Sequence, residues 1–158
     1  MRKTHAQRLL APWRLRGHLV VHVQHDSATA GSPLAPGSAG HNRQAGFEPR
    51  DDEWHVTKQI NSAFIGTALD ERLRAAGVSD LVVAGLTTDH CVSTSVRMAG
   101  NLGYRVRLAG DATAMFDRRA PDGQTITADV RQAAHLASPH DEFCTVCPTT
   151  ALLAQESA

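Results

Sequence analysis

The chain has 158 residues, and 16 basic side chains balance 16 acidic ones to a formal net charge of zero. A chain of this length, residues 1–158, makes one domain with room for a core, and its charge balance argues against electrostatic capture of nucleic acid or a membrane surface. Aromatics are only 4%, too few for a base-stacking surface, and three cysteines without a secretory leader point to a reducing, cytoplasmic setting.

Residues 1–25 contain no acid and carry Arg2, Lys3, Arg8, Arg14 and Arg16. Arg8 and Arg14 interrupt the apolar residues, so this is neither a signal-peptide core nor a membrane span. A transit peptide is the alternative; the preferred reading is an amphipathic helix through Leu9, Leu10 and Trp13, stopped near Pro12 and Gly17. Residues 19–24 read as a strand. From 27 to 53 the chain is rich in Gly, Pro, Ser and Asn, an irregular connection long enough to be functional or disordered and expected on the active-site side.

Residues 54–58 form a short strand pattern. Thr67 then caps a helix with Leu69 and Leu73 on one face, closed by Gly77. A strand at 80–84 leads into a helix opened by Cys91 and closed by Gly103. Tyr104, Val106 and Leu108 alternate with arginines, as in a strand with one apolar face. Thr125 is expected to cap a helix with Ile126, Val130, Ala133 and Ala137 on one face, stopped before Pro139. Residues 143–146 read as a last strand, and Thr149 starts a closing helix. Strands alternating with helices predict an α/β chain whose parallel sheet is covered on both faces, with the ligand site beyond the carboxyl ends of the strands.

Cys91 falls at such an end, between a Gly-, Thr- and Asp-rich turn and a helix N-terminus. Free N–H groups and the helix dipole favour a thiolate there, which makes Cys91 a candidate nucleophile. A buried, inert cysteine is the competing reading.

Gly85, Thr88, Cys91 and Val92 spell a Gly-x-x-Thr-x-x-Cys-Val turn after the strand. Upstream, Lys58 precedes Ser62-Ala63-Phe64 and then Gly66-Thr67-x-Leu69. Both stretches resemble motifs of the isochorismatase-like cysteine hydrolases, and the similarity continues through Gly103-Tyr104, Asp111-Ala112 and Glu142-Phe143, from about residue 18 to 153. The amide-hydrolysing branch, with streptothricin-hydrolase-like members, is the one resembled. The resemblance implies a three-layer α/β/α Rossmann-like fold, Cys91 as nucleophile forming a thioester, and Lys58 as its electrostatic partner. It also implies an oxyanion hole from the N–H groups of Thr87 and Cys91, with a cis peptide between Leu86 and Thr87. No cofactor is implied; the partners are a small-molecule substrate and further copies of the chain. Isochorismate cleavage itself is set aside, because that branch need not use the cysteine.

The family's catalytic aspartate ends a first strand in an apolar-Asp-x-Gln pattern, whereas residues 4–16 resemble the end of the following helix. That first strand is therefore expected to be missing, leaving two unpaired sheet edges and a marginal fold or an oligomer that covers them. A shortened enzyme, a catalytically impaired binding protein, and Asp26 as surrogate acid/base are the three readings; Asp26 reads more readily as a cap of the loop turn than as that surrogate. Asp111 reads as structural and Asp89 as exposed in the turn. Cys144-x-x-Cys147 has redox or zinc spacing, but lacks a second ligand pair and looks like core strand. The strand end Gln24-His25-Asp26 does not reproduce the metal cluster of the nicotinamidase branch, so no metal is expected. For His25 and His55 a place lining the pocket is the alternative to the preferred reading as surface or hydrogen-bonded histidines, and His90 is not paired with Cys91.

Overall fold

Leu9, with Ala6 packed beside it, faces inward from α1 (Arg2–Leu15), the first element in the computed structural model, which describes residues 2–155. The helix passes through Pro12 instead of stopping there; Gly17, at φ 68°, ends it in the left-handed conformation that glycine adopts without a Cβ penalty. Trp13 leaves the apolar stripe and tilts against His18, with ring centroids 5.0 Å apart. Among the described residues no helix is long and apolar enough to cross a membrane.

The strands are β1 (Val21–His25), β2 (Trp54–Lys58), β3 (Asp80–Leu86), β4 (Arg105–Ala114) and β7 (Thr145–Cys147), with a small ribbon of β5 (Arg118–Arg119) and β6 (Thr125–Ile126). The main strands are parallel, as the alternation with helices requires, but they form two half-sheets: β1-β2 and β3-β4-β7. Among the described residues β1 and β3 are not paired with each other.

The half-sheets share a core. Val56 of β2 joins Leu69 and Leu73 of α2 (Leu69–Ala75), Val96 and Ala99 of α3 (Ser93–Asn101), and Val106 and Leu108 of β4 in one apolar cluster. Behind β4, Leu9 of α1 and Leu152 of α5 (Thr149–Gln155) close over Ala109 and Ala112. Helices thus lie on both faces, giving the three layers. Pairing of β3 with β4 slips from Val83↔Leu108 to Gly85↔Thr113, and that bulge turns both Ala109 and Ala112 inward.

One helix departs from expectation. The cap of α4 (Ala128–Ala137) is Thr127, whose Oγ1 accepts from the Val130 N–H, while Thr125 and Ile126 pair with Arg119 and Arg118. The anticipated apolar face is open to solvent: Ile126 is 39% and Val130 62% exposed. The helix docks through Leu136, packed against the main core, and through buried Gln132, whose Nε2 donates to Thr113 Oγ1 at 2.9 Å and whose Oε1 accepts from Thr88 Oγ1 at 2.8 Å. Apolar periodicity cannot reveal a helix held in part by an amide.

The long connection between β1 and β2 contains only a 3₁₀ turn at Ala39–His41, and Glu53 anchors its far end. Arg14 grips that carboxylate with two bonds of 2.6 and 2.8 Å, and His22 Nε2 lies 2.7 Å away. The Arg14 hydrogen bond, against the cost of burial, holds the Glu53 carboxyl at about 2, below its ordinary 4.5. A lowered carboxyl pKa stabilises the fold above about pH 4.5, and that contribution is lost as pH falls through about 2. Glu53→Gln is expected to cost about 3 kcal/mol at neutral pH and to flatten the acid dependence of unfolding. Denaturant titrations across that pH range check it; an acid dependence unchanged in the variant would overturn the assignment.

Candidate active site

Lys58 is the last residue of β2, and Cys91 lies in a single π-helical turn, Thr88–Val92, between β3 and α3. They belong to different half-sheets, yet Lys58 Nζ sits 3.2 Å from Cys91 Sγ. Lys58 is buried, at 5% exposure, and its other two contacts are the Ile60 carbonyl at 2.8 Å and His25 Nδ1 at 3.1 Å. An ammonium has three N–H donors, so these three acceptors account for all of them. A buried ammonium with all three donors satisfied is fixed in place beside the Cys91 sulfur.

The sequence after Lys58 holds the two halves together. Buried Ser62 accepts from the Phe64 N–H, the Ala63 N–H donates to Ser95 Oγ on α3 at 3.0 Å, and Thr67 Oγ1 donates to the Ala63 carbonyl at 2.6 Å. The Ser-Ala-Phe stretch therefore ties the end of β2 to the helix that follows Cys91.

The Leu86–Thr87 peptide is cis. The Thr87 carbonyl accepts from the N–H groups of His90 and Val92, both at 3.2 Å, which closes the turn that carries Cys91. Thr88 is buried beneath this turn and bonded to Gln132, so α4 supports it from below. Asp89 corrects the sequence reading. Its side chain is only 5% exposed, and Arg131 reaches it at 2.5 Å from α4. Burial pushes the Asp89 carboxyl up, but hydrogen bonds from Thr87 and Arg131 outweigh it and leave the carboxyl below its ordinary value.

Asp26 follows β1, and its N–H donates to the Lys58 carbonyl at 2.8 Å. With Thr57, Lys58, Gln59, Ile60, Ile65 and Gly66 it lines a cleft of about 360 Å³. Its carboxylate is paired with His41 Nε2 at 2.6 Å, not with Lys58 or Cys91. The irregular loop thus reaches the cleft through His41.

Of the two readings of His25, the less favoured one is nearer: its Nδ1 contacts Lys58 in the candidate site. The signal that could have found it is register: parallel pairing sets His25 opposite Lys58 at the ends of β1 and β2. His55 lies on the other face of β2 and bonds Gln24 Oε1 at 3.1 Å, outside the site. His90 contacts Thr87 Oγ1 at 3.5 Å, with Asp89 at 3.7 Å, and makes no bond to Cys91. Asp111 caps α5 by accepting from Thr149 N–H and Oγ1 at 2.9 and 2.7 Å, a structural role. Burial pushes the Cys144 thiol up to about 11 and raises Cys147 too, so both are protonated at neutral pH. Among the described residues no group of three or more His, Cys, Asp or Glu side chains is placed to hold a metal.

Residues 2–139 match the family model of the isochorismatase domain. The chain belongs to the isochorismatase family. It is 40% identical over 146 residues to the isochorismatase family protein YrdC of Bacillus subtilis (strain 168), covering 92% of this chain and 78% of that one. It is also 42% identical over 115 residues to a streptothricin hydrolase of Streptomyces noursei, which covers 72% of this chain but 41% of the relative. The crystal structure of an isochorismatase-family hydrolase from Chromobacterium violaceum ATCC 12472 superposes with a TM-score of 0.93 at 43% identity, over 97% of this chain and 79% of that one. This isochorismatase-family hydrolase therefore shares its layered fold with solved relatives.

Proposed function

We propose that the protein is a cysteine hydrolase of small-molecule amides or related C–N bonds, working through a thioester on Cys91. One observation carries the reading: a buried, fully bonded Lys58 held 3.2 Å from Cys91 Sγ, with Lys58 also lining a cleft. The kinship with a streptothricin hydrolase agrees with a small-molecule substrate.

In this mechanism the Cys91 thiolate attacks the amide carbon, and the carbonyl oxygen becomes an oxyanion. The N–H groups of Thr87 and Cys91 are assigned to hold it, since preorganised backbone donors stabilise charge without reorganising. As the C–N bond breaks, the leaving nitrogen takes a proton from the Lys58 ammonium. Water then attacks the thioester and gives its proton to the Lys58 amine, releasing the acid and restoring the thiolate–ammonium pair. Asp26, on the cleft beside Lys58, is the one carboxylate lining it and the alternative acceptor for the water's proton.

The test is to incubate the chain with a panel of small amides, quench in acid and map adducts by peptide mass spectrometry. An acyl mass on the Cys91 peptide, with matching amine release, is the expected result. Amine release with no acyl mass on Cys91 at any quench time would overturn the thioester route.

A further inference from the structure

We propose that His25 is the positioning residue that aims Lys58 at Cys91, acting as a neutral imidazole that accepts a hydrogen bond from the lysine. The inference rests on the cysteine-hydrolase reading above and adds a third group to it. Pairing of β1 with β2 puts His25 directly opposite Lys58 at the strand ends, with Nδ1 3.1 Å from Nζ. An ammonium offers donors only, so Nδ1 must present a lone pair and the imidazole proton must sit on Nε2.

The surroundings favour that neutral form. Burial first, then the Lys58 charge, lower the pKa of His25 below its ordinary 6.5, while the Ile60 carbonyl and Asp26 pull the other way. The groups around the imidazole are thus Lys58 from β2, Asp26 next in the chain and the Ile60 carbonyl, with Cys91 beyond Lys58.

Removing this acceptor frees one of the three bonds that fix Nζ. The amine can then swing off the line to Cys91 Sγ. Protonating His25 has the same effect, because imidazolium Nδ1 donates and sets a second cation against Lys58. Cys91 therefore carries an acid-side loss of reactivity that belongs to residue 25, in addition to the titration of its own thiol.

The experiment is the rate of Cys91 alkylation by iodoacetamide in the full chain, followed by peptide mass spectrometry from about pH 5 to about pH 9. His25→Ala is expected to slow alkylation about tenfold at neutral pH. His25→Asn places an amide oxygen close to where Nδ1 sits and cannot protonate near neutrality. It is expected to recover most of the lost rate and to reduce the acid limb to a single titration. Circular dichroism melts show which variants fold, and the asparagine variant alone decides the pH profile if the alanine variant does not.

Alkylation of His25→Ala at the wild-type rate overturns the proposal, as does an acid limb in His25→Asn with the same shape as in the wild type. Either result leaves the cysteine-hydrolase reading standing, provided Cys91 remains unusually reactive. If wild-type Cys91 alkylates no faster than a cysteine in the urea-unfolded chain, both readings fall together.

Discussion

Cys91→Ser is expected to lower amide turnover at saturating substrate by about a thousandfold or more while the chain stays folded. The substitution keeps the size class and a hydrogen-bonding atom near Lys58 Nζ, so the turn Thr88–Val92 should be undisturbed. What changes is chemistry. A hydroxyl is far less acidic than a thiol, and the single cation beside it does not ionise it as a histidine base would activate a serine. Turnover by the serine variant within tenfold of wild type, with matching circular dichroism, would place the reaction on another residue.

Lys58→Met should separate catalysis from stability. Methionine fills much of the same volume without the charge, so the thiolate loses its counter-ion and the leaving nitrogen loses its proton donor. A fall in kcat/KM of about a hundredfold or more follows. Stability is expected to fall only modestly, because the desolvation cost of the buried charge goes too and offsets part of what the Ile60 carbonyl and His25 Nδ1 lose as acceptors. Thermal melts run beside the kinetics give the answer. If the melting temperature falls steeply along with activity, Lys58 is mainly a structural strut.

The lysine and cysteine were legible in the sequence because each sits in a short local motif at a strand end, where parallel α/β chains gather their chemistry. The layered fold was legible for a related reason: helix and strand periodicities alternate along the chain. Partnerships across long sequence separations were not. Asp89 looked like an exposed turn residue, and it is covered by Arg131, 42 positions later. His25 looked ordinary until strand register set it against Lys58. The α4 cap was misplaced by two residues because Thr125 and Ile126 are taken up by a ribbon with Arg118 and Arg119, a pairing no periodicity signals. Gln132 escaped notice because a buried amide interrupts an apolar pattern instead of extending it.

The division of the strands into two half-sheets has a consequence for how catalytic competence is stored. Lys58 and His25 ride on one half and Cys91 on the other, and no strand-to-strand ladder joins β1 to β3. Cys91 and the Lys58 ammonium therefore meet while the shared apolar core and the Ala63–Ser95 bond keep the halves docked. A slight parting of the halves would disarm the cysteine long before any strand or helix melted. On the proposed chemistry the Cys91 sulfur is thus a gauge of interior cohesion: loss of chemistry should come before loss of shape.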